Sequence, residues 1–186
     1  MAISNENVKK FWEAQAAKYT DLGSAKVTNL EENDELFDEK VVLENEKVFS
    51  LLPLDSSMTV LDLGAGIGAW SAKFSPLVKQ IHAVEYCPQL IEIGRQNCAR
   101  DKIENISFFE SAAESLISDS AYDLVFISGL LLYLNDSSLE ALFTNLNRMT
   151  NPGALLFLRE ATGLEGRYEL HDKFSEALQQ YYSAIY

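Results

Sequence analysis

The stretch Val60-Leu61-Asp62-Leu63-Gly64-Ala65-Gly66-Ile67-Gly68-Ala69-Trp70 constrains this chain more than any other. A short apolar run reaches Asp62, glycines follow at the alternate positions 64, 66 and 68, and an amphipathic run begins directly after them. That order predicts a buried strand, a tight turn and the start of a helix. Glycine has no Cβ, so the turn can take positive φ and bring bare backbone close to a ligand. The first N–H groups of the next helix lack intrahelical partners and face whatever lies over the strand end. These features predict a nucleotide-type site.

Two cofactor classes use such a turn. Gly64, Gly66 and Ala69 satisfy the dinucleotide pattern G-x-G-x-x-G/A, in which a diphosphate sits on the helix N-terminus. Asp62 argues the other way, because a carboxylate at the strand end repels a diphosphate and attracts an amine. The stretch resembles the first motif of the class I S-adenosylmethionine-dependent methyltransferases, an apolar strand followed by D/E-x-G-x-G-x-G. Asp62, Gly64, Gly66 and Gly68 occupy each defined position of that motif. The resemblance implies an α/β fold with a doubly wound, Rossmann-like, mainly parallel sheet. It also implies S-adenosylmethionine as cofactor, held in part by Ala65 and Trp70, and methyl transfer to an oxygen, nitrogen or carbon of a small molecule. An NAD-dependent dehydrogenase and a non-catalytic cofactor-fold subunit that binds a partner are the two alternatives.

Further along, Ile81 to Glu85 reads as a second strand, and Pro88 suits the first turn of a helix over Gln89 to Arg100. Strand, helix, strand with short links implies parallel pairing and a right-handed crossover. Glu85 then ends strand two, about 20 residues beyond the first glycine, where an acid accepts hydrogen bonds from ribose hydroxyls. Ile106 to Phe109 makes a third strand and Tyr122 to Ser128 a fourth, nearly continuous in apolar residues as a strand covered on both faces should be. Asp123, near the start of that strand, reads as a turn residue at the strand edge. By resemblance, Tyr86 lies on the adenine face, and Ala112, Ala113 and Glu114 form the adenine loop. Ala112 stands where the family often has Asp. Ser128 and the residues up to Tyr133 leave the carboxyl end of strand four, where substrate meets cofactor in an open α/β sheet. The Asn/Asp-Pro-Pro-aromatic signature of amino-group methyltransferases acting on nucleobases or glutamine is missing there.

At the amino end, Val8, Phe11, Trp12, Ala16 and Tyr19 recur at helical spacing. By resemblance this helix is a lid, with Tyr19 closing over the cofactor. Between Glu31 and Lys47 stand eight acidic and two basic residues, read as a solvated face without chemistry. Phe37, Val41, Val48 and Leu52 continue a helix to Pro53. Beyond the glycine turn, Trp70, Phe74, Leu77 and Val78 supply a helix face. Asp136 is expected to cap a helix carrying Leu139, Leu142, Phe143, Leu146 and Met149, with Asn151-Pro152-Gly153 as a turn before a fifth strand, Ala154 to Leu158. Phe174, Leu178, Tyr181, Tyr182 and Ile185 then read as a final helix, so the family's C-terminal antiparallel strands are expected to be missing. The domain reading is one methyltransferase domain, with lid and helices at 1–52, cofactor core at 57–160 and an incomplete segment at 161–186. An open sheet edge suggests a fragment or an oligomer that covers it.

Should the acceptor need to lose a proton, His171 is the candidate base, with Glu160 behind it, while His82 sits within a strand and is expected to be packed. Net charge is −13, from 15 basic and 28 acidic residues, which disfavours a nucleic-acid substrate. Cys87 and Cys98 are the only cysteines, without a C-x-x-C or a Cys/His cluster, so neither a disulfide framework nor a metal site is expected. With no apolar run long enough for a bilayer and no secretory pattern at Met1 to Asn7, no membrane role and a cytoplasmic setting are expected.

Overall fold

In a computed structural model, residues 3–18, 33–160, 168–169 and 181–182 are described, the last two pairs as backbone alone. Helices α1 (Asn5–Lys18) and α2 (Asp34–Leu51) precede β1 (Thr59–Leu63), α3 (Ala69–Phe74), β2 (Gln80–Glu85), α4 (Pro88–Asp101) and β3 (Ile106–Glu110). Then come β4 (Tyr122–Ser128), α5 (Asp136–Met149), β5 (Thr150–Arg159) and the two-residue strands β6 (Tyr168–Glu169) and β7 (Tyr181–Tyr182). β1 to β5 form one sheet in the order β3-β2-β1-β4-β5, and each pairing is parallel. Strand order reverses between β1 and β4, and the cleft outside their carboxyl ends is where such sheets bind ligands.

Central strands explain the apolar runs. Leu61, Leu63, Val125 and Ile127 pack on one face with Leu142, Leu146 and Met149 of α5. Val60, Leu124 and Phe126 pack on the other with Phe74 of α3 and Val48 of α2. With both faces covered, no polar alternation is needed along β1 or β4. Phe74, Phe126 and Trp70 form an aromatic knot on the second face, with ring centroids 5.0 to 5.7 Å apart.

Three expectations change in detail. The helix after β4 is flanked by Asn135, not capped by Asp136, which is its first residue. The Asn135 side chain is engaged elsewhere: Oδ1 accepts from the Ile3 N–H (2.8 Å) and Nδ2 donates to the Ile3 carbonyl (2.9 Å). Asn151-Pro152-Gly153 lies inside β5, where the register with β4 shifts between Tyr122 and Leu124. Proline cannot donate to a ladder, and the irregularity on an edge strand absorbs it. Tyr181 and Tyr182 are strand, not helix, and pair antiparallel with Glu169 and Tyr168. This pair forms a separate sheet, so among the described residues the main sheet has no antiparallel strand.

Candidate active site at the carboxyl end of the sheet

Gly64, Gly66 and Gly68 all have left-handed φ, +70°, +56° and +75°. The Gly64 and Ala65 N–H groups both donate to the Val84 carbonyl (2.9 and 3.0 Å), which folds the loop back over β2. A Cβ on Gly64 would lie 3.2 Å from Leu130, at the mouth of the cleft. Gly68 differs from the other two. It precedes α3 and lines neither cavity described below, and a Cβ there would meet the Phe108 ring at 2.7 Å. The third glycine thus lets the helix pack closely on the strand.

Two carboxylates flank this loop. Asp62 is 2% exposed and its Oδ2 accepts from the Ser71 hydroxyl at 2.6 Å. Burial raises its pKa to about 6, against the opposing pull of the Ser71 bond. Glu85 Oε2 accepts from the Gly66 N–H (2.9 Å), and Oε1 accepts from Tyr86 and Cys87 N–H (2.7 and 2.8 Å). Burial again pushes this carboxyl up. Three of its roughly four acceptor positions are filled by main chain, leaving room for one ribose hydroxyl.

Two cavities open over the loop. The first brings together Gly64, Gly66, Glu85, Tyr86, Ala112, Ala113, Glu114 and Ser128 and is roofed by Asn5, Val8, Lys9 and Trp12 of α1. The lid helix is held by contacts the sequence did not reveal. Asn5 Nδ2 donates to Glu114 Oε1 (3.3 Å), the Lys9 ammonium sits 4.8 Å from the Tyr86 ring centroid, and Trp12 meets Tyr133 edge to face. The second cavity, about 240 Å³, shares Trp12, Gly64, Gly66, Ser128, Gly129 and Tyr133 with the first and extends between α2, α3 and β5. Asp62, Ala65 and Trp70 line this second cavity and not the first.

The outer wall of the second cavity holds residues that sequence reasoning passed over: Glu44, Lys73 and Arg159. Glu44 comes from the acidic run read as solvated, yet it forms an ion pair with Arg159. Arg159 Nη1 also donates to Ser128 Oγ (2.9 Å). Lys73 Nζ donates to Asn45 Oδ1 (2.6 Å) and lies 4.3 Å from the Trp70 ring centroid. A signal was available for Lys73, which follows Trp70 by three residues and therefore shares its helix face.

Other candidates fall elsewhere. Glu160 lines neither cavity: Oε1 accepts from the Leu130 and Leu131 N–H groups (2.9 and 3.3 Å), and Oε2 is buried without a partner among the described residues. His82 is packed as expected, its Nδ1 2.9 Å from the Tyr122 hydroxyl. Asp123 accepts from the Thr59 N–H and the Asn151 amide, which fits its reading as a strand-edge residue. Tyr19 and His171 lie outside the described residues.

The donor set suits S-adenosylmethionine. A buried and a half-buried carboxylate beside bare backbone fit an ammonium and ribose hydroxyls and oppose a diphosphate. Comparison with known proteins agrees. The chain is 31% identical over 121 residues to phosphoethanolamine N-methyltransferase 1 of Triticum aestivum, covering 63% of this chain and 24% of that protein. It is 24% identical over 191 residues to phosphoethanolamine N-methyltransferase 1 of Caenorhabditis elegans, covering 99% of this chain and 38% of that one. It therefore spans about a quarter to two fifths of the length of these relatives. Among solved structures, the fold matches Haemonchus contortus phosphoethanolamine N-methyltransferase 1 with phosphoethanolamine and S-adenosylhomocysteine. There the TM-score is 0.71 at 23% identity, over 86% of this chain and 34% of that one. The DhpI complex with S-adenosylhomocysteine matches with a TM-score of 0.69 at 18% identity, over 97% and 79%. The fold is that of the class I methyltransferases, and residues 60–153, half of the sequence, match the family model described as a methyltransferase domain: the chain belongs to that family.

Proposed function

We propose that this protein binds S-adenosylmethionine across the glycine loop and transfers its methyl group to a small-molecule acceptor in the second cavity. One observation carries this reading: a loop of left-handed glycines lies between the carboxylates of Asp62, buried, and Glu85, half-buried, and opens into two joined cavities. When bound, the sulfonium supplies an electrophilic methyl, so the acceptor atom forms the new C–X bond as the C–S pair returns to sulfur.

The chain's own residues have the remaining tasks. Asp62 and the loop backbone receive the amino-acid end, and Glu85 with Tyr86 receives ribose and adenine. α1 closes over the first cavity and keeps water out. Ser128, Gly129 and Tyr133 stand where the cavities meet and align acceptor with methyl, and alignment supplies much of the acceleration in such a transfer. We read Glu160 as a positioning residue that fixes the 130–131 backbone beside that junction. His171 stays the candidate base for an acceptor that must shed a proton. Nitrogen is favoured as the acceptor atom, because the relatives above are named N-methyltransferases, and oxygen or carbon remains open.

A small acceptor also agrees with a net charge of −13, which gives a nucleic acid no basic surface. Cys87 and Cys98 are free thiols, which supports a reducing, cytoplasmic setting, and among the described residues no helix is long and apolar enough to cross a membrane. Exposed Leu155 and Leu156 on the edge strand β5 support an oligomer that covers it. Calorimetric titration tests the cofactor reading directly: S-adenosylhomocysteine should bind and NAD should not, and the reverse result would replace methyl transfer with hydride transfer.

A further inference from the structure

We propose that the outer part of the second cavity seats the acceptor, and that Lys73, with Arg159 beside it, receives an oxyanion of that acceptor, a phosphate or carboxylate. The assignment rests on the methyl-transfer reading and adds the acceptor's chemical class to it.

Four acidic or basic side chains line this cavity: Glu44, Asp62, Lys73 and Arg159. Glu44 and Arg159 are paired with each other. Asp62 is buried next to the glycine loop, on the cofactor side, and holds the Ser71 hydroxyl. Lys73 is left with two neutral partners, the Asn45 amide oxygen and the face of Trp70. A half-buried ammonium in such company has lost hydration and gained no opposite charge within ion-pair distance among the described residues. Burial accordingly lowers its pKa, with Glu44 as a weaker opposing influence. The uncompensated charge in the outer cavity is therefore positive.

Position separates this charge from the adenosine end of the cofactor. Phe37, Val41, Trp70, Lys73 and Arg159 line the second cavity and not the first. The Arg159 guanidinium lies 6.0 Å from the same Trp70 ring that Lys73 covers, so the two cations converge on one aromatic floor. In a chain of net charge −13 the long-range field repels anions, so an anionic acceptor has to be recognised locally.

Inorganic phosphate, titrated into the full chain saturated with S-adenosylhomocysteine, tests this. Saturable binding is expected, retained by K73R and weakened roughly tenfold or more by K73M, the scale of a lost charge-assisted hydrogen bond. K73Q serves in place of K73M if the latter melts early. Three results would overturn the proposal: no binding to the parent chain, equal binding to K73M, or mutual exclusion of phosphate and S-adenosylhomocysteine. The last would assign Lys73 to the cofactor's own carboxylate. If S-adenosylhomocysteine itself does not bind, the methyl-transfer reading has failed and this assignment falls with it.

Discussion

The two cavities that meet at Ser128 share the bare backbone of Gly64, Gly66 and Gly129 and differ in the rest of their walls. The inner one adds Ala112, Ala113, Tyr86 and Glu85, the last locked onto three backbone N–H groups, under the roof of α1. The outer one is walled by long side chains from separate elements: Phe37, Val41 and Glu44 of α2, Trp70 and Lys73 of α3, and Arg159 of β5. Backbone shape is set locally by residue type, whereas a side-chain wall can be exchanged one residue at a time without moving the sheet. The contrast explains how one scaffold can keep a cofactor and change its acceptor.

If the backbone shared by both cavities must stay bare, its most damaging change is an added side chain. Gly64→Val would force a β-branched residue to a φ of +70° and push its Cβ against Leu130, 3.2 Å away. We expect S-adenosylhomocysteine affinity to fall roughly hundredfold by calorimetry, since backbone strain and lost access add. Near-parent affinity would show that the loop has slack and that the contrast is overdrawn.

Deeper support for the same loop predicts an inverted stability effect. Gly94, in the middle of α4, would ordinarily gain up to about 1 kcal/mol on change to Ala. Here a Cβ would lie 2.6 Å from the Phe108 ring and 2.9 Å from the Ile67 carbonyl, and the latter is backbone that cannot swing aside. Gly94→Ala should therefore destabilise by about 1–3 kcal/mol, a loss of several degrees in melting temperature. Phe108 fills the space above both Gly68 and Gly94, so F108L should recover part of the loss.

A smaller and sharper test concerns charge. The Asp62 carboxyl titrates at about 6, and the ammonium of the ligand prefers its ionised form. Below that pH the proton must first be expelled, so affinity should rise about tenfold per pH unit up to about 6 and then level. Asp62→Asn should flatten the curve. In the free protein the sign is opposite. An acid with raised pKa binds its proton more tightly when folded, so its contribution to stability is full below the unfolded value of 3.8 and is lost as pH rises through about 6. Melting curves from pH 3.5 to 7.5 would show a decline for the parent that Asp62→Asn lacks.

The same contrast decides what could be read in the sequence. The inner cavity was legible because each positive φ is written as a glycine and each strand as an apolar run: β4 has the expected bounds, and Gly64, Gly66, Glu85 and Tyr86 line the expected place. Gly68 answers a second demand that the motif does not display, since a glycine needed by a ligand and one needed by a neighbouring ring look alike before Phe108 is placed. The outer cavity was not legible. Glu44 and Arg159 are distant in the chain, and an acid inside an acidic run carries no mark of the partner it will meet. Tyr181 and Tyr182 suited a helix by spacing, and only their pairing with Glu169 and Tyr168 decides otherwise.

The double hydrogen bond between Ile3 and Asn135 has a kinetic corollary. It moors the leading end of α1 to the start of α5, while Ala16 near the other end packs with Ile67, Cys87 and Leu90, so the roof over the first cavity is fastened at both ends. Cutting the mooring should loosen one corner only, and quicken both arrival and departure of a nucleoside while leaving their ratio nearly untouched.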